Sequence, residues 1–275
     1  LRQLPLHAGA RDLQDDCAVL NIGGETLILT HDTLAQGTHF RDDADMADVA
    51  WKLVTSNLSD LAAKGAKPVG VLLGHSLGRD DDRFLKGLHE ALSEFAVSLL
   101  GGDTIKAQGP QTLGLTAVGK ATHQPVPSRS GAKPGDHVYI TGKLGRAMLG
   151  FEGCSDHLMA YNRPRPRLAE GQALAPHVTA MMDISDGLLL DAFRMAAASE
   201  CSFALNTEAV PVADPERRDD CMRWGDDYEL LFTLPCGTKP TVPAVQIGTV
   251  EQSGFAPLFL DGHPIMNSDG LGYQH

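Results

Sequence analysis

The chain has 275 residues, 43% apolar, 21% charged and 5% aromatic, with 35 acidic against 23 basic side chains and a net charge of −12. That apolar share can bury one large or two modest cores and excludes a disordered chain, while the acidic balance disfavours nucleic acid and anionic membrane as partners. No apolar run reaches the roughly 18 residues of a membrane span, no signal peptide opens the chain, and the five scattered cysteines form no CxxC pair, which points to reduced thiols in a cytoplasm.

Apolar stretches at 17–22 and 26–31 flank Gly23-Gly24 and predict a β-hairpin. From Asp48 to Ala66, residues Val49, Leu53, Val54, Leu58, Leu61 and Ala62 recur at helical spacing, with Gly65 as the stop. Asn57 and Asp60 then share one helix face. A strand is predicted over 69–77 and a helix over 81–99 through Phe84, Leu85, Leu88, Leu92, Phe95 and Ala96. Gly101-Gly102 is expected to break the chain before a strand at 111–119. Pro125, Pro127, Gly131, Pro134 and Gly135 mark 121–135 as a connector. Beyond it the pattern predicts a strand at 137–141, helices near 144–150 and 167–175, a strand over 181–184 and a helix over 187–198. Strands are also expected at 202–206, 228–234, 244–250 and 256–260. This alternation reads as α/β or α+β.

Carboxylates punctuate that frame: Asp15-Asp16, Asp32 at the end of an apolar strand, Asp60 within a helix, Asp103 after two glycines, and Asp183 and Asp186 across a strand-to-helix junction. Carboxylates gathered in one place repel one another, so a fold that converges them needs cations. Magnesium is the hard ion that bridges such groups to nucleotide phosphates. Asp183-Ile184-Ser185-Asp186 at a helix start can face a cation or phosphate, or can simply cap the helix. Gly101-Gly102-Asp103 likewise lets a backbone approach phosphate, or only turns the chain. Asn57, Ser59 and Asp60 are poor helix formers inside a helix, with no obvious capping task. The sequence contains no P-loop, no protein-kinase signature and no zinc motif.

Eight blocks in order resemble the thiamine-monophosphate kinase family over essentially the whole chain. They are Asp15-Asp16-Cys17-Ala18-Val19-Leu20, Thr30-His31-Asp32-Thr33-Leu34 with Gly37-Thr38-His39-Phe40, the helix from Asn57 to Ala66, and Gly101-Gly102-Asp103-Thr104. Arg129 to Asp136, Asp183 to Gly187, Gly225-Asp226-Asp227-Tyr228-Glu229-Leu230 and Leu271-Gly272-Tyr273 follow. The helix block is shared with aminoimidazole ribonucleotide synthetase relatives.

The resemblance implies two domains. One, at 1–122, has a mixed or antiparallel sheet with helices, binds ATP and magnesium, and forms a dimer interface. The other, at 123–275, is an α/β domain closing over nucleotide and substrate. It implies transfer of the ATP γ-phosphoryl group to thiamine monophosphate by a homodimer that needs several Mg2+ ions. By resemblance, Asp16, Thr30, His31, Asp32, Asp60, Asp103, Asp183 and Asp186 surround the metal. Gly102, Asp103, Arg129 and Ser185 meet ATP, and His39, Asp226 and Tyr273 meet the thiamine substrate. Asp103, Asp186 and Arg129 are the expected catalytic groups. The chain departs from the family's usual Gly-Gly-Glu-Asp at Trp224-Gly225-Asp226-Asp227, and its N-terminal helix before Asp15 is expected to be clipped. A related ATP-dependent synthetase or maturation enzyme, or a non-catalytic nucleotide-binding dimer, stays open at this point.

Overall fold

The computed structural model describes residues 3–274. A 3₁₀ turn at Ala8–Leu13 precedes β1 (Ala18–Ile22) and β2 (Glu25–Ala35), an antiparallel hairpin that turns on Gly23-Gly24. The first half continues with α1 (Met46–Ala63), β3 (Ala66–Ser76), α2 (Asp81–Glu94), β4 (Ser98–Ile105) and β5 (Thr112–Ala121). Its sheet has the order β1-β2-β5-β3-β4, antiparallel except for the β3–β4 pair.

The second half begins with β6 (His137–Ile140), α3 (Arg146–Phe151), α4 (Leu158–Asn162), α5 (Leu168–Leu174), β7 (Ala180–Ile184) and α6 (Leu188–Ala198). It ends with β8 (Ser202–Leu205), α7 (Arg218–Arg223), β9 (Glu229–Leu234), β10 (Val245–Glu251), β11 (Leu258–Leu260) and β12 (His263–Ile265). These seven strands lie in the order β12-β11-β8-β10-β6-β9-β7, with β11–β8 the parallel pair.

Helix α1 ties the halves together. Asp45 caps it by accepting a hydrogen bond from the Ala47 amide at 2.9 Å, and Gly65, at φ 59°, turns the chain out beyond Lys64. Most of its residues are buried, polar ones included, as expected of a helix covered on all sides. One side packs Leu53, Leu58 and Leu61 into a core with Ile28, Phe84 and Leu115. Another presses Ala62 and Ala63 into a separate core with Met181, Leu230 and Phe232 of the second sheet. The remaining core, around Met182, Leu189, Phe203 and Ile247, belongs to the second half.

Two predicted boundaries move. The helix expected to reach 99 stops at Glu94, where Ala96 enters the left-handed region at φ 51° and the Val97 amide reaches back to the Leu92 carbonyl at 2.9 Å. Gly101-Gly102, expected to interrupt the chain, lies inside β4. Gly102 has φ 155°, and a Cβ there would sit 2.0 Å from the Leu73 carbonyl oxygen, so only glycine lets this strand pair with β3. The short elements α4, α7 and β12 were not anticipated, because three to six residues are too few to establish a period.

Candidate active site

The helical repeat aims Lys52, Ser56 and Asp60, spaced four residues apart on α1, into one cleft. Alternation along β2 turns Thr26, Ile28, Thr30 and Leu34 inward, and Asp32 follows on the same side. The segment before β1 contributes Asp15 and Asp16, and the β7–α6 junction contributes Asp183, Ser185 and Asp186. The cleft between them has a volume of about 650 Å³.

Main-chain hydrogen bonds assemble the rest of its wall on that junction. The Asp226 amide donates to the Ser185 carbonyl at 2.8 Å, the Tyr228 amide to Ile184 at 2.9 Å, and the Tyr273 amide to Asp186 at 2.9 Å. Gly225 makes the first of these possible, since a Cβ there would lie 2.2 Å from the Ser185 oxygen. Two segments distant in sequence are thereby fixed around one strand end.

The carboxylate end is short of positive charge. Asp16, Asp60 and Asp183 each bring an oxygen within 4.8 Å of the others. Burial, followed by the charges of Asp32, Asp183 and Asp16, raises the Asp60 carboxyl well above its ordinary range, against a hydrogen bond from Thr30 Oγ1. Burial and Asp16 push Asp183 up to about 7, although Ser59 Oγ donates to its Oδ2 at 2.6 Å. Burial, with Asp16 and Asp186, also raises Asp32 despite the Ser56 hydroxyl. Asp183 Oδ1 is buried without a partner. An oxygen-only donor set with an orphaned buried oxygen fits a hard divalent cation.

Part of the charge is met from within. The Lys64 ammonium, its side chain fully enclosed, pairs with Asp15 and, at 2.7 Å, with Asp16 Oδ2. Burial opposes the charged form of both Asp15 and Lys64, but the ion pairs prevail. Lys64, with Arg11, holds Asp15 well below the usual carboxylate range, and Asp16 followed by Asp15 holds Lys64 above the usual amine range. Arg129 pairs with the other oxygen of Asp16, and Arg194 with Asp186.

The other end is aromatic. Phe151 packs against Tyr161 with ring centres 5.3 Å apart and against Trp224 at 5.1 Å, while His39 and Tyr273 meet edge-on at 6.5 Å. The Lys52 ammonium lies 4.5 Å above the Tyr161 ring and 2.5 Å from Asp226 Oδ2. Asp226 also accepts from the Tyr228 hydroxyl at 3.0 Å. Both residues hold left-handed backbone, at φ 63° and 52°, a strained state that recurs at binding sites.

Of the residues expected from sequence, Asp16, His39, Asp32, Asp60, Arg129, Asp183, Ser185, Asp186, Asp226 and Tyr273 line this cleft. Thr30 stands behind Asp60. The His31 ring lies on the opposite face of β2, bonded to Thr116 Oγ1 at 2.8 Å and near Thr33 Oγ1 at 3.3 Å, because neighbours in a strand point to opposite sides. Gly102 and Asp103 are also apart from the cluster. Register aligns Asp32 with Leu115, Leu73 and Gly102 in turn, three strand spacings or about 14 Å across the sheet. Asp103 lies one residue on, in the row of Thr33, and is exposed.

The sequence reading passed over Lys52, Ser56, Lys64 and Arg194. The first three had a visible signal, since 52, 56, 60 and 64 form a polar row at four-residue steps along the helix and its cap. Arg194 stands eight residues after Asp186 and carried no such mark.

The fold and this cleft define a class. The family model described as AIR synthase related protein, N-terminal domain, matches residues 14–121, and its C-terminal counterpart matches 133–239. The thiamine-monophosphate kinase of Escherichia coli K12 is 34% identical, covering 95% of this chain and 90% of the relative, and that of Salmonella typhimurium is 38% identical with the same coverage. A solved structure described as AaThiL complexed with AMPPCP and TMP superposes with a TM-score of 0.85 at 27% identity, covering 92% of this chain and 89% of its own. The chain belongs to the thiamine-monophosphate kinase family.

Proposed function

We propose that this protein transfers the γ-phosphoryl group of ATP to thiamine monophosphate, giving thiamine diphosphate and ADP in thiamine diphosphate biosynthesis. The observation that carries the reading is the meeting, in one cleft, of a cation-seeking carboxylate cluster and an aromatic wall with its own carboxylate, Asp226. The relative bound to AMPPCP and TMP supports it, since its fold is shared over 92% of this chain.

The chemistry suits these residues. A phosphate monoester has its second pKa near about 6, so at neutral pH the acceptor is already mostly a dianion and needs no general base. An acceptor oxygen attacks the γ-phosphorus in line as the bond to ADP breaks, and the protein's task is positioning and charge cancellation. Asp16, Asp32, Asp60, Asp183 and Asp186, with Thr30, would hold magnesium, which when bound neutralises the two phosphates that must approach each other. Arg129 and Ser185 would face the nucleotide, Asp226 the positive thiazolium ring, and His39 and Tyr273 the flat faces of the substrate. Arg129 is assigned to transition-state charge directly, and Asp186 would serve it through the cation it helps to hold.

Gly102 and Asp103 belong to this site only through a second copy of the chain. The edge strand β4 is exposed along its whole length and presents Leu99, Leu100 and Ile105 beside Leu72 of β3. An unpaired apolar edge of this kind favours association. A homodimer through the first-half sheet would bring a neighbour's Asp103 toward the nucleotide. In this reading 1–122 is the nucleotide and dimer unit and 123–275 closes over it. The cysteines are free, and no helix among the described residues is long and apolar enough to cross a membrane; a cytoplasmic setting accords with the thiols.

Phosphorus NMR of the purified protein with magnesium, ATP and thiamine monophosphate tests the reading. A diphosphate-ester signal growing in step with ADP is expected. ATP consumption that thiamine monophosphate does not stimulate would overturn it.

A further inference from the structure

Three basic side chains line the cleft: Lys52, Arg129 and Arg223. Arg129 is committed to Asp16, and Arg223 to Asp219 and the Gly270 carbonyl. Lys52 stands at the aromatic end, its ammonium between the Asp226 carboxylate and the Tyr161 ring. A carboxylate on one side and an aromatic face on the other is the surrounding that a flat organic cation seeks. On the kinase reading, the thiazolium of the substrate requires that same surrounding.

Both cations cannot use it together. Asp226 carries one negative charge, and an ammonium beside a thiazolium in a partly enclosed cleft is repelled. We infer that Lys52 is a placeholder cation: its ammonium fills the Asp226–Tyr161 position until the substrate's thiazolium displaces it, and it then turns to the substrate's phosphate. This assignment rests on the kinase reading and adds a specificity residue to it.

The surroundings allow the exchange. Lys52 forms part of the wall between the cleft and a second hollow of about 310 Å³ edged by Asp43, Asp45 and Asp48, so its side chain borders open volume on two sides. Its four-carbon stem carries a compact charge that can be redirected, unlike the planar fork of arginine. Ser56 and Asp60 follow it along the same face of α1, so a turn toward the cluster brings the ammonium toward the end where the phosphates would lie. The Asp226 side chain is 30% exposed and so can be reached by an incoming partner.

A selectivity follows. Free thiamine can displace the ammonium but offers it nothing in return, whereas the monophosphate supplies both the displacing cation and a receiving anion. Lys52 would therefore favour the phosphorylated vitamin, acting as a positioning residue as well as a charge.

Calorimetric titration of the full chain with thiamine and with thiamine monophosphate tests this in wild type and Lys52→Met. The variant is expected to bind thiamine more tightly and the monophosphate more weakly, so that the preference for the monophosphate falls at least about tenfold, about 1.4 kcal/mol. Should Lys52→Met be unfolded by circular dichroism, Lys52→Gln, which can keep a hydrogen bond to Asp226, is read in the same way. Equal shifts in both affinities, or none, would overturn the assignment while leaving the kinase reading intact. A wild-type protein that binds neither compound would overturn the kinase reading and this assignment with it.

Discussion

Lys52 and Lys64 lie twelve residues apart on one helix and its cap, and both are buried, at 6% and 1% exposure. Burial therefore does not distinguish them; their partners do. Lys64 is clasped by two enclosed carboxylates, one of which is also held by Arg11, the other by Arg129. Lys52 has one carboxylate, 30% exposed, and the face of a ring. One end of the cleft thus carries a permanent internal cation, and the other an exchangeable one. A charge surrounded by fixed counter-charges is part of the framework, while a charge with a single open partner is available for traffic.

The comparison is broken most severely by Lys64→Met. Removing the shared member of a buried ion-pair cluster leaves Asp15 to Arg11 alone and Asp16 to Arg129 alone, with an expected loss of about 3 kcal/mol of stability. Thermal melting should fall sharply and recover in part when magnesium is added; an unchanged melt would show that Lys64 is dispensable to the framework.

A graded version uses pH. The folded Asp183 carboxyl is raised to about 7 from 3.8, so between those values the native state binds the more protons. Stability without divalent cation should then decline as pH rises from about 4 through about 7. Asp183→Asn should flatten that decline in urea titrations run across the range. A stability that climbs over the same interval in the wild type, by an amount that Asp183→Asn removes, would contradict the assignment.

Asp103→Asn sharpens the contrast between the cluster and the distant edge. Turnover should drop at least about tenfold, about 1.4 kcal/mol of barrier, with the fold by circular dichroism unchanged because the side chain is exposed on the single chain. Equal turnover in the folded variant would remove Asp103 from the mechanism. The smallest effect is expected from His31→Ala. Its ring faces away from the carboxylates, so magnesium affinity by calorimetry should stay within about twofold, the range of a substitution away from any such site.

The amphipathic period of α1, the β1–β2 hairpin and most strands could be read from the sequence, because each depends on residues a few positions apart. The carboxylates could be read in part: Asp60 stood out inside a helix with no capping task, whereas Asp32 could end in a turn and Asp183 and Asp186 could cap a helix, so that only their joint order along the chain singled them out. What escaped depends on long-range placement. The separation of Asp103 from Asp32 follows from the order β1-β2-β5-β3-β4, which no local pattern specifies. The facing of His31 follows from which side of β2 the helix covers. The four-residue row that ends at Lys64 marks a helix face, but its partner Asp15, 49 residues earlier, is not marked by any local pattern. The α2 boundary depended on one alanine accepting left-handed backbone, which its side chain does not advertise.

The core in which Ala62 and Ala63 meet Met181, Leu230 and Phe232 has an evolutionary consequence. A chain cut in the linker after Ala121 would leave one fragment with a bare alanine stripe and the other with an uncovered sheet. The two halves are therefore one heritable unit. A chimera made by exchanging halves between relatives should fold only when the stripe and its cover come from the same parent.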